Sequence, residues 1–387
     1  MNKNRIPLLG AVFLMATSAV GPGFLTQTAV FTEQLGAAFA FVILVSIVLD
    51  IGAQLNIWQI IAAHRQRAQE ITNRILPGTG YLLTACIVFG GLAFNIGNLS
   101  GTGLGLNALT GMSVQNGAIL SALVVTLIFL RPGFRGMMDI FTQVMGILMI
   151  GLTLYVMIVG SPPYQEALIE SVWPSEINWI AIITIVGGTV GGYISFAGAH
   201  RLLDSGISGP EHMPEVRKAS VQAILVASIM RIVLFLAALA VVSKGLALDS
   251  TNPPASIFEL GAGAAGKYLF GLVMWAAAIT SVIGSAYTSI SFLKTWHPSI
   301  EKHESKWILG FVYLSLIILV AIGRPVMLLI LAGTINGFIL PIALGLLLYS
   351  VRDLHQKTEI RIPLWQIIFG WAIVALMLWM GLQVLIK

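Results

Sequence analysis

Residues 15–32 read MATSAVGPGFLTQTAVFT, and Gly21-Pro22-Gly23 interrupts what is otherwise an apolar helix. Proline has no N–H and its ring clashes with the preceding turn, while glycine leaves the backbone unrestrained. In water the triplet would be an ordinary turn. Here apolar sequence flanks it on both sides, over 6–20 and 24–31. Inside hydrocarbon an opened helix strands backbone groups without partners, which is tolerated only within protein or beside a cavity. The stretch therefore reads as one membrane helix broken at mid-depth.

The rest of the chain fits a bilayer. Of 387 residues 57% are hydrophobic and 10% charged, with a mean hydropathy of +0.92; a soluble domain carries about a quarter charged residues. At about 20 apolar residues per span, eleven spans are expected, near 6–32, 36–62, 79–107, 115–131, 136–160, 178–204, 218–243, 266–293, 306–323, 325–350 and 364–386. The predicted class is an all-α polytopic membrane protein without a soluble domain. The longest polar connections are 64–78, 161–178, 244–266 and 297–305.

With the N-terminus inside, sixteen of the twenty-one Lys and Arg residues fall on the inner side, as cytoplasmic loops require. The outer connection 161–178 holds Glu166, Glu170 and Glu176 and no basic residue. We therefore expect a bacterial cell-membrane protein with its N-terminus cytoplasmic and its C-terminus outside. No cleavable leader is expected, because the first apolar run is too long and Gly-Pro-Gly is not a small-residue cleavage site. The single cysteine, Cys86, excludes an internal disulfide and cannot alone make a thiolate metal site. The net charge of +5 is scattered rather than clustered, which argues against nucleic acid as a partner. The six histidines are dispersed and no GxxxxGK[ST] loop occurs, so neither an enzyme nor an ATP-driven pump is indicated. The expected partners are the lipid bilayer and a small-molecule or ion substrate, with no obligate protein partner.

The sixth span repeats the oddity of the first. Residues 187–198 read GGTVGGYISFAG, again glycine-interrupted at mid-helix. Such glycines also let helices approach closely in membranes, and for 187–192 alone the two readings are balanced. The matched positions, five spans apart, point to an inverted five-plus-five repeat with a binding site between the broken helices, as secondary transporters build it. The halves are 1–160 and 178–350, with 364–386 as an extra helix.

Residues 21–50, GPGFLTQTAVFTEQLGAAFAFVILVSIVLD, resemble the first two helices of the natural resistance-associated macrophage protein (NRAMP) metal transporters. Gly21-Pro22-Gly23-Phe24 occupies that family's Asp-Pro-Gly-Asn motif, and Leu35-Gly36 falls at the matching distance. Residues 98–102, NLSGT, and 338–343, FILPIA, extend the likeness. It implies the ten-helix inverted repeat of amino acid–polyamine–cation transporters, with broken helices 1 and 6 and one extra helix. It also exposes departures. The family's metal-binding Asp and Asn fall on Gly21 and Phe24, and its sixth-span Met falls on Ala197 or Gly198. The third-span acids fall on Asn95 and Asn98. The tenth-span Gln falls near Ile339, with Asn336 one turn away.

A divalent ion must exchange hydration water for donors that include a carboxylate. The first break offers backbone carbonyls with Thr17, Ser18, Thr26, Gln27 and Thr28, so no metal site is expected there. An alternative site would use Glu33 or Asp50. Helix N-termini present unpaired N–H groups and partial positive charge, so two broken helices suit a carboxylate. The expected substrate-contacting residues are Gly21, Gly23, Phe24, Gln27, Ser195, Phe196, Ala197, Gly198 and Asn336. Phe24 and Phe196 would supply an apolar wall.

Asp50 and Arg231 lie midway along the second and seventh spans. Charges there are costly alone, so we expect the two to pair, either as a static ion pair or as a gate. His200, Arg201 and Asp204 close the sixth span, as an interfacial anchor or a cytoplasmic gate. Asn95 and Asn98 share a helical face, as polar glue or pathway lining. Asp50, Arg231, His200, Asn95 and Asn98 are the candidates for coupling or gating. No cofactor is expected; Na⁺ or H⁺ is the candidate coupling ion, with Ser281, Ser285, Thr288 and Ser289 as a minority Na⁺ site completed by a first-helix carbonyl. The predicted function is secondary active transport, by alternating access, of a small carboxylate-bearing organic solute, an amino acid or a cyclic derivative such as 5-oxoproline. The alternative is a Mn²⁺ or Mg²⁺ transporter with a non-standard site.

Overall fold

The computed structural model describes residues 12, 15, 19–130, 133–294, 296–358 and 360–386, and these form helices and no strand. The helices are α1 (Pro22–Leu35), α2 (Phe39–His64), α3 (Ala68–Ile75), α4 (Thr79–Thr110), α5 (Val114–Leu130), α6 (Gly133–Gly160), α7 (Tyr164–Val172), α8 (Trp179–Val190), α9 (Tyr193–Asp204), α10 (Met213–Val242), α11 (Pro253–Leu293), α12 (Pro298–Lys302), α13 (Glu304–Ile322), α14 (Pro325–Lys357) and α15 (Leu364–Ile386). Val12, Met15 and Ala19 are helical ahead of α1. Thr17 and Ser18 lie outside the described residues.

Among the described residues eight segments are long and apolar enough to cross a membrane, and a ninth if the bent pair Val144–Gly160 and Tyr164–Val172 counts as one. That count takes Pro22–His64 as a single segment and leaves aside the shorter apolar helix Val114–Phe129. The 3₁₀ turn Gly36–Ala38 divides Pro22–His64 into two. Each of the eleven expected spans thus meets a helix. The chain is a multi-pass integral membrane protein.

Three connections expected to be irregular are partly helical. Residues 64–78 contain α3, whose entry is closed by Glu70 accepting the Arg67 N–H at 3.1 Å. Residues 161–178 contain α7, which turns 106° away from α6. Residues 244–266 contain the first turns of α11, begun by Pro253-Pro254 and kinked at Gly263. Proline is well placed at a helix start, where its missing N–H has no intrahelical partner to lose.

Close approach, rather than large apolar knobs, holds the central helices together. A Cβ on Gly91 would overlap Ser289 Oγ, and one on Gly105 would lie 2.6 Å from the Trp275 N, so α4 and α11 meet backbone to backbone. The α8–α14 contact is similar: a Cβ on Gly187 would overlap the Gly333 carbonyl, and one on Gly337 the Ile183 carbonyl. The Thr184 and Thr334 hydroxyls bond across it at 2.7 Å. In a bilayer, lipid is as apolar as leucine, so tight packing of small residues and interhelical hydrogen bonds supply the attraction. The extra helix α15 seats Phe369 and Ile373 against Gly52 of α2, and Asn56 donates to the Gln366 carbonyl at 3.2 Å.

Candidate solute site at the broken helices

The first span is open at Val20-Gly21, between helical Ala19 and Pro22. Gly21 is extended (φ −96°, ψ −171°), and Pro22 begins α1 with no side chain capping it. The first intrahelical bond runs from the Leu25 N–H to the Gly21 carbonyl at 3.3 Å. The N–H groups of Gly23 and Phe24 therefore lie outside the helical ladder. Pro22 is pressed against α4, where a Cβ on Gly101 would overlap its ring.

The sixth span opens at Gly191-Gly192, between α8 and α9. Gly192 has φ 54° and ψ −131°, a conformation open to glycine and strained for any residue with a Cβ. Ala197 and Gly198, on which the resemblance places the sixth-span Met, lie inside the continuous helix α9, C-terminal to the opening. Gly198 is small for a packing reason: a Cβ there would overlap the Trp58 indole. Trp58 also donates its Nε1–H to the Ser195 carbonyl at 2.9 Å, pinning α9 to α2. Ser195 is a staple of the break, its hydroxyl reaching the Val190 carbonyl at 2.8 Å and Gln54 Oε1 at 3.3 Å. Phe196 packs edge-on against Phe292 at 5.5 Å, and Ala197 is buried. The glycines of this span divide between the two readings, Gly187 serving packing and Gly191-Gly192 the opening.

Two amides fill the space between the openings. Gln27 donates to the Leu329 carbonyl of α14 at 2.9 Å, and side chains on Gly188 or Gly333 would overlap or crowd its amide. Gly23 also faces this amide, at ordinary contact distance. Asn336 donates to the carbonyls of Gly90 at 3.0 Å and Ala332 at 2.8 Å. Its Oδ1 occupies the notch that Cβ atoms on Gly90 and Gly192 would fill. Gln27 Oε1 and Asn336 Oδ1 are both buried with no hydrogen-bond partner.

Asp50 and Arg231 are both buried, but no ion pair closes between them. This corrects the expected contact. The Arg231 guanidinium instead lies over the Phe24 ring, 4.1 Å from its centroid, in the first turn after the Gly21 opening. Its Nη1 and Nη2 have no hydrogen-bond partner, and neither has Asp50 Oδ1. Asp50 lies beside Thr189, two residues before Gly191. One guanidinium and one carboxylate thus converge where α1, α2, α8 and α10 meet.

The remaining candidates sit around this centre. Asn95 donates to the Val282 carbonyl and to Ser285 Oγ, both at 2.8 Å, and Asn98 to the same hydroxyl at 3.4 Å. They tie α4 to α11 with the phenol of Tyr193 beside them. Ser285 and Ser289 face α4, and their hydroxyls donate to carbonyls of α11. His200 is buried with both ring nitrogens unpartnered, between Phe196 and Phe292. Arg201 is exposed, and Asp204 pairs with Arg67 at 3.3 Å. Glu33 accepts the Leu248 N–H at 2.9 Å, in the connection between α10 and α11. His355 accepts the Ile362 N–H at 3.1 Å. Among the described residues no three His, Cys, Asp or Glu side chains gather as a metal cluster. The roles of Thr189, Gly90 and Gly333 were not expected, and no local pattern marks them, since their partners lie far away in sequence.

The model of the natural resistance-associated macrophage protein-like family (Nramp) matches residues 12–387. The chain belongs to this family. Uncharacterized membrane proteins of Haemophilus influenzae and Bacillus subtilis (YcsG) are each 54% identical to it, over 96% and 98% of this chain and 94% of each relative. Its fold is that of the Eremococcus coleocola manganese transporter (TM-score 0.72, 15% identity, 97% of this chain and 85% of that one). It is also that of MhsT, solved with L-phenylalanine (TM-score 0.67, 16% identity, 98% of both chains). This Nramp protein thus has the inverted-repeat transporter fold expected from its two broken spans. At such identities the likeness concerns the fold.

Proposed function

We propose that this Nramp-family transporter moves a small carboxylate-bearing organic solute, an amino acid or a cyclic derivative, by alternating access driven by Na⁺ or H⁺. The two halves, 1–160 and 178–350, move about a site between the openings at Gly21 and Gly191-Gly192, with 364–386 outside the repeat. The observation that carries this reading is the Arg231 guanidinium, buried over Phe24 with both terminal nitrogens unpartnered. A buried cation without hydrogen-bond partners is costly, and a carboxylate offers it two acceptors in the matching planar geometry. The free N–H groups of Gly23 and Phe24 add donors from the positive end of α1. A fixed cation at this point repels a divalent metal, and Gly21 and Phe24 supply no acid to counter it.

A second reading, divalent metal transport, is favoured by the orphaned oxygens of Asp50, Gln27 and Asn336, which are hard donors of the kind Mg²⁺ or Mn²⁺ takes. The fold shared with a manganese transporter also favours it. The two readings separate by calorimetry on the purified protein with a carboxylate panel and with MnCl₂ and MgCl₂. Carboxylate binding that Arg231→Gln weakens by about 10–100-fold, in a variant that stays monodisperse and melts cooperatively, supports the first. Metal binding with no carboxylate binding overturns it.

A further inference from the structure

The atoms left without partners around the two openings form an asymmetric set. It includes, as donors, the guanidinium nitrogens of Arg231 and the hydroxyl of Thr26 and, as acceptors, Asp50 Oδ1, Gln27 Oε1, Asn95 Oδ1 and Asn336 Oδ1. Both ionisable members are almost wholly buried, Asp50 at 2% exposure and Arg231 at 3%. No ion pair closes between the two side chains. A simple carboxylate would satisfy Arg231 and leave the aspartate unpartnered, with a second negative charge brought close to it. Buried polar groups left in that state cost free energy comparable to a lost hydrogen bond, and more for a charge. A ligand that completes the set must accept from Arg231 at one end and donate to Asp50 at the other.

We propose that Asp50 accepts an N–H of the transported solute while Arg231 holds its carboxylate, so that the solute is an α-amino or α-amido carboxylic acid. The inference rests on the carboxylate reading above and sharpens it. In such acids the nitrogen sits two bonds from the carboxyl carbon, so one small molecule presents both groups on one edge. Thr189 of α8 lies beside Asp50, and Phe24 of α1 lies beneath Arg231. The amide oxygens of Gln27 and Asn336 are further acceptors for the remaining hydrogens of an ammonium. Asp50 is a specificity-determining residue here: a site tuned to a donor rejects analogues lacking it, because the buried acceptor is then left unpaired.

The test is a ring series of nearly constant shape, titrated into the purified full-length protein by calorimetry: L-proline, 5-oxo-L-proline, tetrahydrofuran-2-carboxylate and cyclopentanecarboxylate. L-Alanine with propionate is a linear pair, and MnCl₂ and MgCl₂ are included. On the unaltered protein, at least one nitrogen-bearing acid should bind tighter than its nitrogen-free partner by about tenfold or more. In Asp50→Asn that preference should shrink to within a few-fold while cyclopentanecarboxylate binds as before or better. Equal binding of nitrogen-bearing and nitrogen-free acids overturns the role of Asp50 and leaves the carboxylate reading intact. A preference that Asp50→Asn does not change also overturns it. Binding of divalent metal with no carboxylate bound overturns both. The comparison on the unaltered protein stands even where the variant fails to fold.

Discussion

At the scale of single residues, the glycines separate by what surrounds them. Gly192 combines a positive φ with a neighbour, Asn336 Oδ1, in the space a Cβ needs. Gly206 also has a positive φ, 73°, but nothing within 4 Å. Gly192→Ala should therefore cost backbone strain plus displacement of a buried amide, about 2–4 kcal/mol together, and should abolish uptake. Gly206→Ala should cost about 1 kcal/mol and leave uptake near normal. Thermal melts in detergent alongside proteoliposome uptake check the pair; equal effects would contradict a special role for the sixth-span opening. Arg231 makes a similar point about charge. From sequence alone, an embedded arginine and an embedded aspartate suggest a mutual pair. That the two do not close an ion pair goes with the Phe24 ring taking the guanidinium face, a contact between spans one and seven that no spacing rule encodes.

At the scale of helices, the sixth span shows why a break is hard to locate from its glycines. Gly187, Gly188, Gly191, Gly192 and Gly198 look alike in sequence, yet Gly187 meets α14, Gly188 admits Gln27 and Gly198 admits Trp58. Only Gly191-Gly192 leaves the helical conformation. Gly198→Ala is accordingly expected to act on packing, lowering the melting temperature as the Trp58 indole is displaced, with the ratio of affinities within the carboxylate series unchanged. A changed ratio would return Gly198 to the binding site. Trp58→Phe keeps an aromatic ring but loses the donor to the Ser195 carbonyl and leaves unfilled space where the indole was, at a cost of about 2–4 kcal/mol. Ser195 was legible as a polar residue of the break, but not its task, because its partners Val190 and Gln54 come from different helices.

At the scale of the whole molecule, the excess of Lys and Arg on one set of connections assigns a sidedness to the bundle. We expect the N-terminus in the cytoplasm and the C-terminus outside. Ser175 and Ser205 are exposed on connections that this topology puts on opposite faces. In a variant lacking Cys86, Ser175→Cys should react with an impermeant maleimide on intact cells and Ser205→Cys only after permeabilisation. The reverse pattern would invert the orientation. On the expected inner face, Arg67 bonds Asp204 at 3.3 Å and reaches the Ser291 carbonyl at 3.5 Å, joining the α2–α3 link to the ends of α9 and α11. Such partly exposed pairs are each worth about 1 kcal/mol or less, weak enough to open during a transport cycle.

The bilayer is the reason so much of the architecture could be read in the chain itself. Hydrocarbon demands about 20 apolar residues per crossing and forbids an unprotected open helix, so eleven crossings and two interruptions stand out in one dimension. The membrane setting, the helical class and the two broken spans follow from those local constraints. The position of the second opening, the separation of Asp50 from Arg231 and the enclosure of Gln27 and Asn336 were settled by tertiary packing. Each depends on which backbone comes within van der Waals distance of which glycine, and such contacts join residues as far apart as Gln27 and Leu329, beyond the reach of any local pattern.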